Sequence, residues 1–135
     1  MQTLLFRVDG QPAPQGSKRH VGGGRMIEAS KKVGPWREAV KEAVSLLSFT
    51  PYDHPISVDI KFYIARPKTV KRLLPSVPPD LDKLVRGLFD ALTIANVWMD
   101  DALAVDVCAT KRYATDDEPP GCLVFIKPIE ETSSK

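Results

Sequence analysis

A chain of 135 residues with 43% hydrophobic and 27% charged side chains is long enough to bury a core of its own and too apolar to stay disordered. No apolar run approaches the roughly 20 residues of a membrane span, and MQTLLFRVDG lacks the apolar stretch and cleavage site of a signal peptide, so a cytoplasmic location with no membrane partner is expected. A formal charge of +2 does not by itself imply nucleic acid, and Cys108 and Cys122, far from any C-x-x-C spacing, give no support to zinc or redox chemistry and read as buried thiols.

LLFRV alternates apolar and polar side chains, predicting a strand over residues 4–8 that Gly10, Pro12 and Pro14 bring to an end. GSKRHVGGGR reads as a loop. Its Lys18 and Arg19 suit contact with a phosphate backbone, or simply keep a flexible segment soluble. RMIE reads as a short strand. Pro35 fits the first turn of a helix in which Trp36, Ala39, Val40, Ala43, Val44 and Leu47 form an apolar stripe, ending near Ser48. Ile56, Val58, Ile60, Phe62 and Ile64 then alternate with Ser57, Asp59, Lys61, Tyr63 and Ala65, the pattern of a strand with one buried face.

Residues 66–79, RPKTVKRLLPSVPP, hold four prolines and four cations, so an extended basic connector is expected there. Leu81, Leu84, Val85, Leu88, Phe89 and Leu92 recur at helical spacing and predict a second helix over residues 80–95. VWM reads as a short extended piece, Asp100 and Asp101 as a turn, residues 103–113 as a long strand and GCLVFIKP as a last one. The order implies an α+β fold, a mixed sheet covered by two helices, forming a single domain over residues 1–130 with a frayed tail at 131–135.

Acid stands at both ends of the second helix. Asp80 and Asp82 lie in its first turn, where capping of free amides and the helix dipole are sufficient reason for carboxylates. A helix of about 15 residues is roughly 22 Å long, and the six residues from Asn96 to Asp101 span roughly 20 Å when extended. An extended return would therefore bring Asp101 beside Asp80. Carboxylates about 4 Å apart repel by roughly 4 kcal/mol at an effective dielectric near 20, so such a cluster calls for a hard cation, Mg²⁺ or Mn²⁺, able to hold phosphate oxygens and polarise water.

PDLDKLVRGLFDAL, followed by VWMDDALAVDVCATKRY and preceded by GQPAPQGSKR, resembles the RusA family of Holliday junction resolvases of bacteria and their phages. The likeness covers most of the chain, and the D-x-D, helix, F-D-A-L, W-x-D-D combination is more specific than any one piece. It implies that Asp80, Asp82 and Asp101 are the magnesium-binding catalytic residues of a homodimer acting on four-way DNA junctions in a bacterial or phage-infected cell. Where the family carries a lysine on this helix the chain has Arg86, with its lysine at Lys83. Arginine stabilises phosphate charge but is a poor proton carrier.

Arg86 also stands four residues from both Asp82 and Asp90, the spacing of a plain surface ion pair. Asp100 is a lesser metal candidate, because neighbours on extended backbone point opposite ways, and Asp90 reads as structural. Lys68, Lys71 and Arg72 in the connector, and Lys111 and Arg112 at the end of the long strand, are candidates for DNA phosphates, with solvated charge as the alternative. Trp36 and Phe89 fit the core better than base stacking, and Trp98 fits either. Besides the resolvase, two readings stay open: a DNA-binding or assembly module of the same fold without cleavage, and a nuclease aimed at forks or flaps.

Overall fold

Alternation at every second residue builds the sheet, and the 3.6-residue stripe builds the helices that cover it. The computed structural model describes residues 2–14, 18–21, 25–28 and 32–131, the two short segments as backbone only. In chain order these form β1 (Leu4–Asp9), β2 (Lys18–Val21), β3 (Arg25–Glu28), α1 (Val33–Ser45), β4 (Ile56–Ile64), α2 (Leu81–Ile94), one 3-10 turn (Asp101–Leu103), β5 (Ala104–Tyr113) and β6 (Gly121–Pro128). The main sheet has the order β1-β6-β4-β5, with β4 and β5 parallel and the other pairs antiparallel, while β2 and β3 make a separate hairpin. A mixed sheet with two helices is the α+β architecture expected.

Register decides which face is the core. Leu4, Phe6 and Val8 stand beside Ile126, Val124 and Cys122, and these stand beside Val58, Ile60 and Phe62. All are buried, together with Trp36, Val40 and Val44 of α1 and Leu84, Leu88 and Leu92 of α2. Each fully buried Leu or Ile stabilises the fold by about 1.5–3 kcal/mol relative to an exposed one. Trp98 belongs to this core: it is 1% exposed, its indole N–H donates to Thr93 Oγ1 at 2.7 Å, and Phe89 meets its ring edge-on at 5.1 Å.

Three expectations are corrected. Lys18–Val21 is a strand rather than loop, its pairing with β3 supplying what its own sequence pattern does not show. The first helix runs Val33–Ser45, with Pro35 in its first turn as expected but its end short of Ser48. Cys122 is buried as expected, but Cys108 is exposed because β5 lies at the sheet edge. The tail expected from residue 131 lies, from 132 onward, outside the described residues.

The parallel β4–β5 pair requires a crossover, and α2 is that crossover. It therefore runs against the strands. Its end is fixed by Asn96, whose φ of 62° is a left-handed conformation asparagine tolerates better than most residues. The Asn96 and Val97 amides then donate to the Thr93 and Leu92 carbonyls, each at 3.0 Å, closing the helix in a Schellman motif. Val97 and Met99 exchange backbone hydrogen bonds with Tyr52, at 2.9 Å each, so the exit of α2 lies just ahead of β4. We expect Asn96→Val to lose about 1–2 kcal/mol in urea unfolding and Asn96→Gly to lose little, because only the first sets a Cβ branch against φ > 0.

Candidate active site

The entrance to α2 sits at the opposite end of the strands from its exit. The Lys111 ammonium, near the end of β5, donates to the Pro79 carbonyl at 2.7 Å and to the Val77 carbonyl at 2.8 Å, pinning the chain immediately before Asp80. Asp80 is the N-cap residue with extended backbone (φ −67°, ψ 140°), but its side chain makes no capping hydrogen bond. Its Oδ2 stands 3.6 Å from Lys83 Nζ instead. Such a half-exposed pair contributes only about 0.2–1 kcal/mol and is readily exchanged.

Asp82 is exposed and, among the described residues, forms no hydrogen bond or ion pair. The same holds for Arg86, so the helix-surface ion pair suggested by its spacing from Asp82 and Asp90 is not made. A free guanidinium thus lies between two acids on one helix face.

Asp101 begins the 3-10 turn that packs against α2. Asp100 caps this turn, its Oδ1 accepting from the Ala102 amide at 2.9 Å. Partial desolvation raises the Asp101 carboxyl above the ordinary aspartate value, and a hydrogen bond with Asp100 and the charges of Asp100 and Asp90 push it further the same way. Asp100 has extended backbone (φ −160°, ψ 140°) and the chain turns from Asp101 onward, yet the two carboxyl groups still interact. Asp90, read from sequence as structural, contributes to this acidic surround.

The folding back goes only part way. Residues 95–100 close the helix and pair with Tyr52 rather than returning along α2, which leaves Asp101 near Asp90, about 15 Å along the helix from Asp80. Among the described residues no three His, Cys, Asp or Glu side chains gather as a metal-holding group. The convergence of all three acids within one chain, expected from the segment lengths, is therefore not what this fold produces. In chemistry the acids do suit a hard cation: the donors are all oxygen, Asp82 is unpartnered, and Asp101 is crowded by negative charge.

The basic residues fall into three groups. Lys68, Lys71 and Arg72 are exposed on the proline-rich connector, with Arg72 Nη1 donating to the Tyr113 hydroxyl at 2.8 Å. Arg66 stacks over the Tyr113 ring at 5.7 Å. Lys111 serves the connector, and Arg112 Nη1 donates to the Lys111 carbonyl at 2.9 Å. Lys18 and Arg19 open the β2–β3 hairpin, and their side chains lie outside the described residues. The sequence gives no sign that Tyr113 anchors the connector, since aromatic strand ends are common.

A basic connector delivered to an acid-bearing helix N-terminus on an α+β scaffold is an arrangement suited to a phosphodiester substrate. The chain matches the family Endodeoxyribonuclease RusA over residues 9–127, most of its length, and it belongs to that family of nucleases. It is also similar to YqaN of Bacillus subtilis (strain 168), an uncharacterized protein 29% identical over 146 residues that span 96% of this chain and 99% of YqaN.

Two outcomes test this geometry. Because the Asp101 carboxyl is raised in the folded chain, its contribution favours folding at acid pH and is lost as pH rises through the folded value. Asp101→Asn should therefore raise the melting temperature at pH 7 more than at pH 3. Equal shifts at both pH values would contradict the crowding. Lys111→Met should free the Val77 and Pro79 carbonyls and speed tryptic cleavage at Lys68, Lys71 and Arg72, with the far-UV circular dichroism unchanged.

Proposed function

We propose that this protein is a structure-specific endodeoxyribonuclease that resolves Holliday junctions and related branched DNA by paired cleavage, as a homodimer, with Mg²⁺ as cofactor and Mn²⁺ able to substitute. The observation that carries the reading is the family match joined to a D-x-D pair held at the α2 N-terminus directly after a basic connector. Asp80, Asp82 and Asp101 would hold the metal, with Asp100 as a lesser ligand. When bound, the ion supplies Lewis acidity toward a phosphate oxygen and lowers the pKa of water.

The chain's own residues do the rest. Lys68, Lys71 and Arg72, with Lys18 and Arg19 from the hairpin and Arg112 from β5, hold phosphates on either side of the cut and set register without reading sequence. Lys111 acts on DNA indirectly, by fixing the connector. Arg86, unpaired and permanently charged, stabilises charge developing on the phosphate, a role it can fill without moving a proton. Lys83 would be released from its weak, half-exposed pair with Asp80 if that acid held a metal ion. Two cuts in symmetric relation follow from two-fold symmetry.

The separation of Asp101 from Asp80 and Asp82 within one chain favours one competitor, a junction-binding module of the same fold that does not cut. Labelled four-way, forked and linear DNA, incubated with and without Mg²⁺, decides between them. The proposal expects Mg²⁺-dependent paired nicks in the four-way substrate and a loss of at least about 100-fold with Asp82→Asn, the scale of removing one preorganised electrostatic partner. It also expects junction affinity to fall steeply with salt. Retardation without product would leave the binding module standing, and preferential cutting of the fork would move the substrate to replication intermediates.

A further inference from the structure

The connector between β4 and α2 exposes more than charge. Leu73 is 83% and Leu74 55% exposed, and Val77 joins them at the surface. Single apolar side chains at a surface are ordinary, but two adjacent leucines with a valine close behind them make a patch. Its surroundings are of one sign. Between Asp59 and Asp80 the sequence holds no acid, while Arg66, Lys68, Lys71 and Arg72 are all exposed on the connector. An apolar patch set among cations fits a partner that offers apolar faces between negative charges, and nucleobases between phosphates have that chemistry.

The leucines are also held outward. Before them, the Val70 amide donates to the Pro67 carbonyl at 3.1 Å, and Arg72 is tied to the Tyr113 hydroxyl at 2.8 Å. After them, Pro75 is buried, the Ser76 amide donates to the Leu74 carbonyl at 2.8 Å, and Lys111 holds the Val77 carbonyl. A tip anchored on both sides keeps its leucines in water unless these contacts break, and it loses little chain entropy on meeting a ligand.

Beside the tip lies a shallow recess of about 270 Å³, lined by Leu74, Pro75 and Leu81 together with Ala109, Thr110 and Arg112 of β5. Leu81 is the residue between Asp80 and Asp82, so the recess adjoins the D-x-D pair. Apolar walls with an arginine among them suit the face of one displaced base and the phosphate next to it.

In continuous duplex the bases are stacked out of reach, and unstacking a step costs free energy. The cost is least where stacking and pairing are already interrupted, as at a branch point. We propose that Leu73 and Leu74 enter branched DNA at the branch point as an apolar wedge, unstacking the adjoining base pair so that one of its bases lies in the recess beside Asp80 and Asp82. The inference rests on the nuclease reading for its substrate and adds how that substrate is told from duplex. The cations bind either form through phosphates. The leucines engage only the one whose bases can be opened.

A four-way junction carrying a fluorescent adenine analogue beside the branch point, mixed with the whole chain in EDTA, tests the wedge. The analogue brightens when it is unstacked, and the wild type should raise its fluorescence several-fold. Leu73→Ser/Leu74→Ser should remove most of that rise and weaken junction binding about 10-fold, the scale of one lost stacking contact. Its melting temperature and its affinity for linear duplex should stay those of the wild type, because the two side chains are exposed and uncharged. Leu73→Met/Leu74→Met, which keeps flexible apolar side chains, should retain the rise. A serine variant with fluorescence and junction affinity intact overturns the wedge, and so does an equal loss of affinity for junction and linear duplex.

Adding Mg²⁺ separates this inference from the reading beneath it. If the wild type nicks the junction while the analogue stays stacked, the wedge alone fails. A leucine-dependent rise with no nick removes the nuclease reading and leaves the wedge as a binding device. A chain that retains no junction at all overturns both.

Discussion

The parallel pairing of β4 with β5 is the constraint on which the rest of the molecule depends. Two parallel neighbours cannot be joined by a tight turn, so the chain must cross the sheet, and α2 makes that crossing. Its direction is then not free. The N-terminus, with its unpaired amides and positive dipole end, is delivered to the far end of the strands, and the exit to the near end. Every carboxylate of interest is sorted by this polarity: Asp80 and Asp82 at one end, Asp100 and Asp101 at the other, Asp90 between.

Rigidity at the first end comes from β5 rather than from the connector itself. Residues 66–79 form neither helix nor strand, yet they are tied at three places, by Lys111 to two carbonyls, by Arg72 to the Tyr113 hydroxyl and by Arg66 to the Tyr113 ring. A polyanion meeting this surface would find Lys68 and Lys71 presented on a fixed path, and less chain entropy would be lost on binding. Lys111 is engaged with the connector's carbonyls, while Lys68 and Lys71 stay exposed. Tyr113 holds Arg66 and Arg72 in the same way.

Where the physics is local, the sequence is readable. The alternation through β4, the stripe on α2 and the proline-rich connector each follow from side-chain periodicity or from missing amides, and each stands where residue order places it. The acid-bearing turn after α2 was legible as a turn, but its destination was not. That depends on Asn96 accepting a left-handed conformation and on Tyr52 pairing with Trp98, a contact across 46 positions that no window of sequence contains. The exposure of Cys108 was hidden for a related reason: a thiol in a β pattern reads as buried unless it is known that its strand lies at an edge. The Schellman closure of α2 was open to recognition, since asparagine just past an apolar stripe is one of its signals.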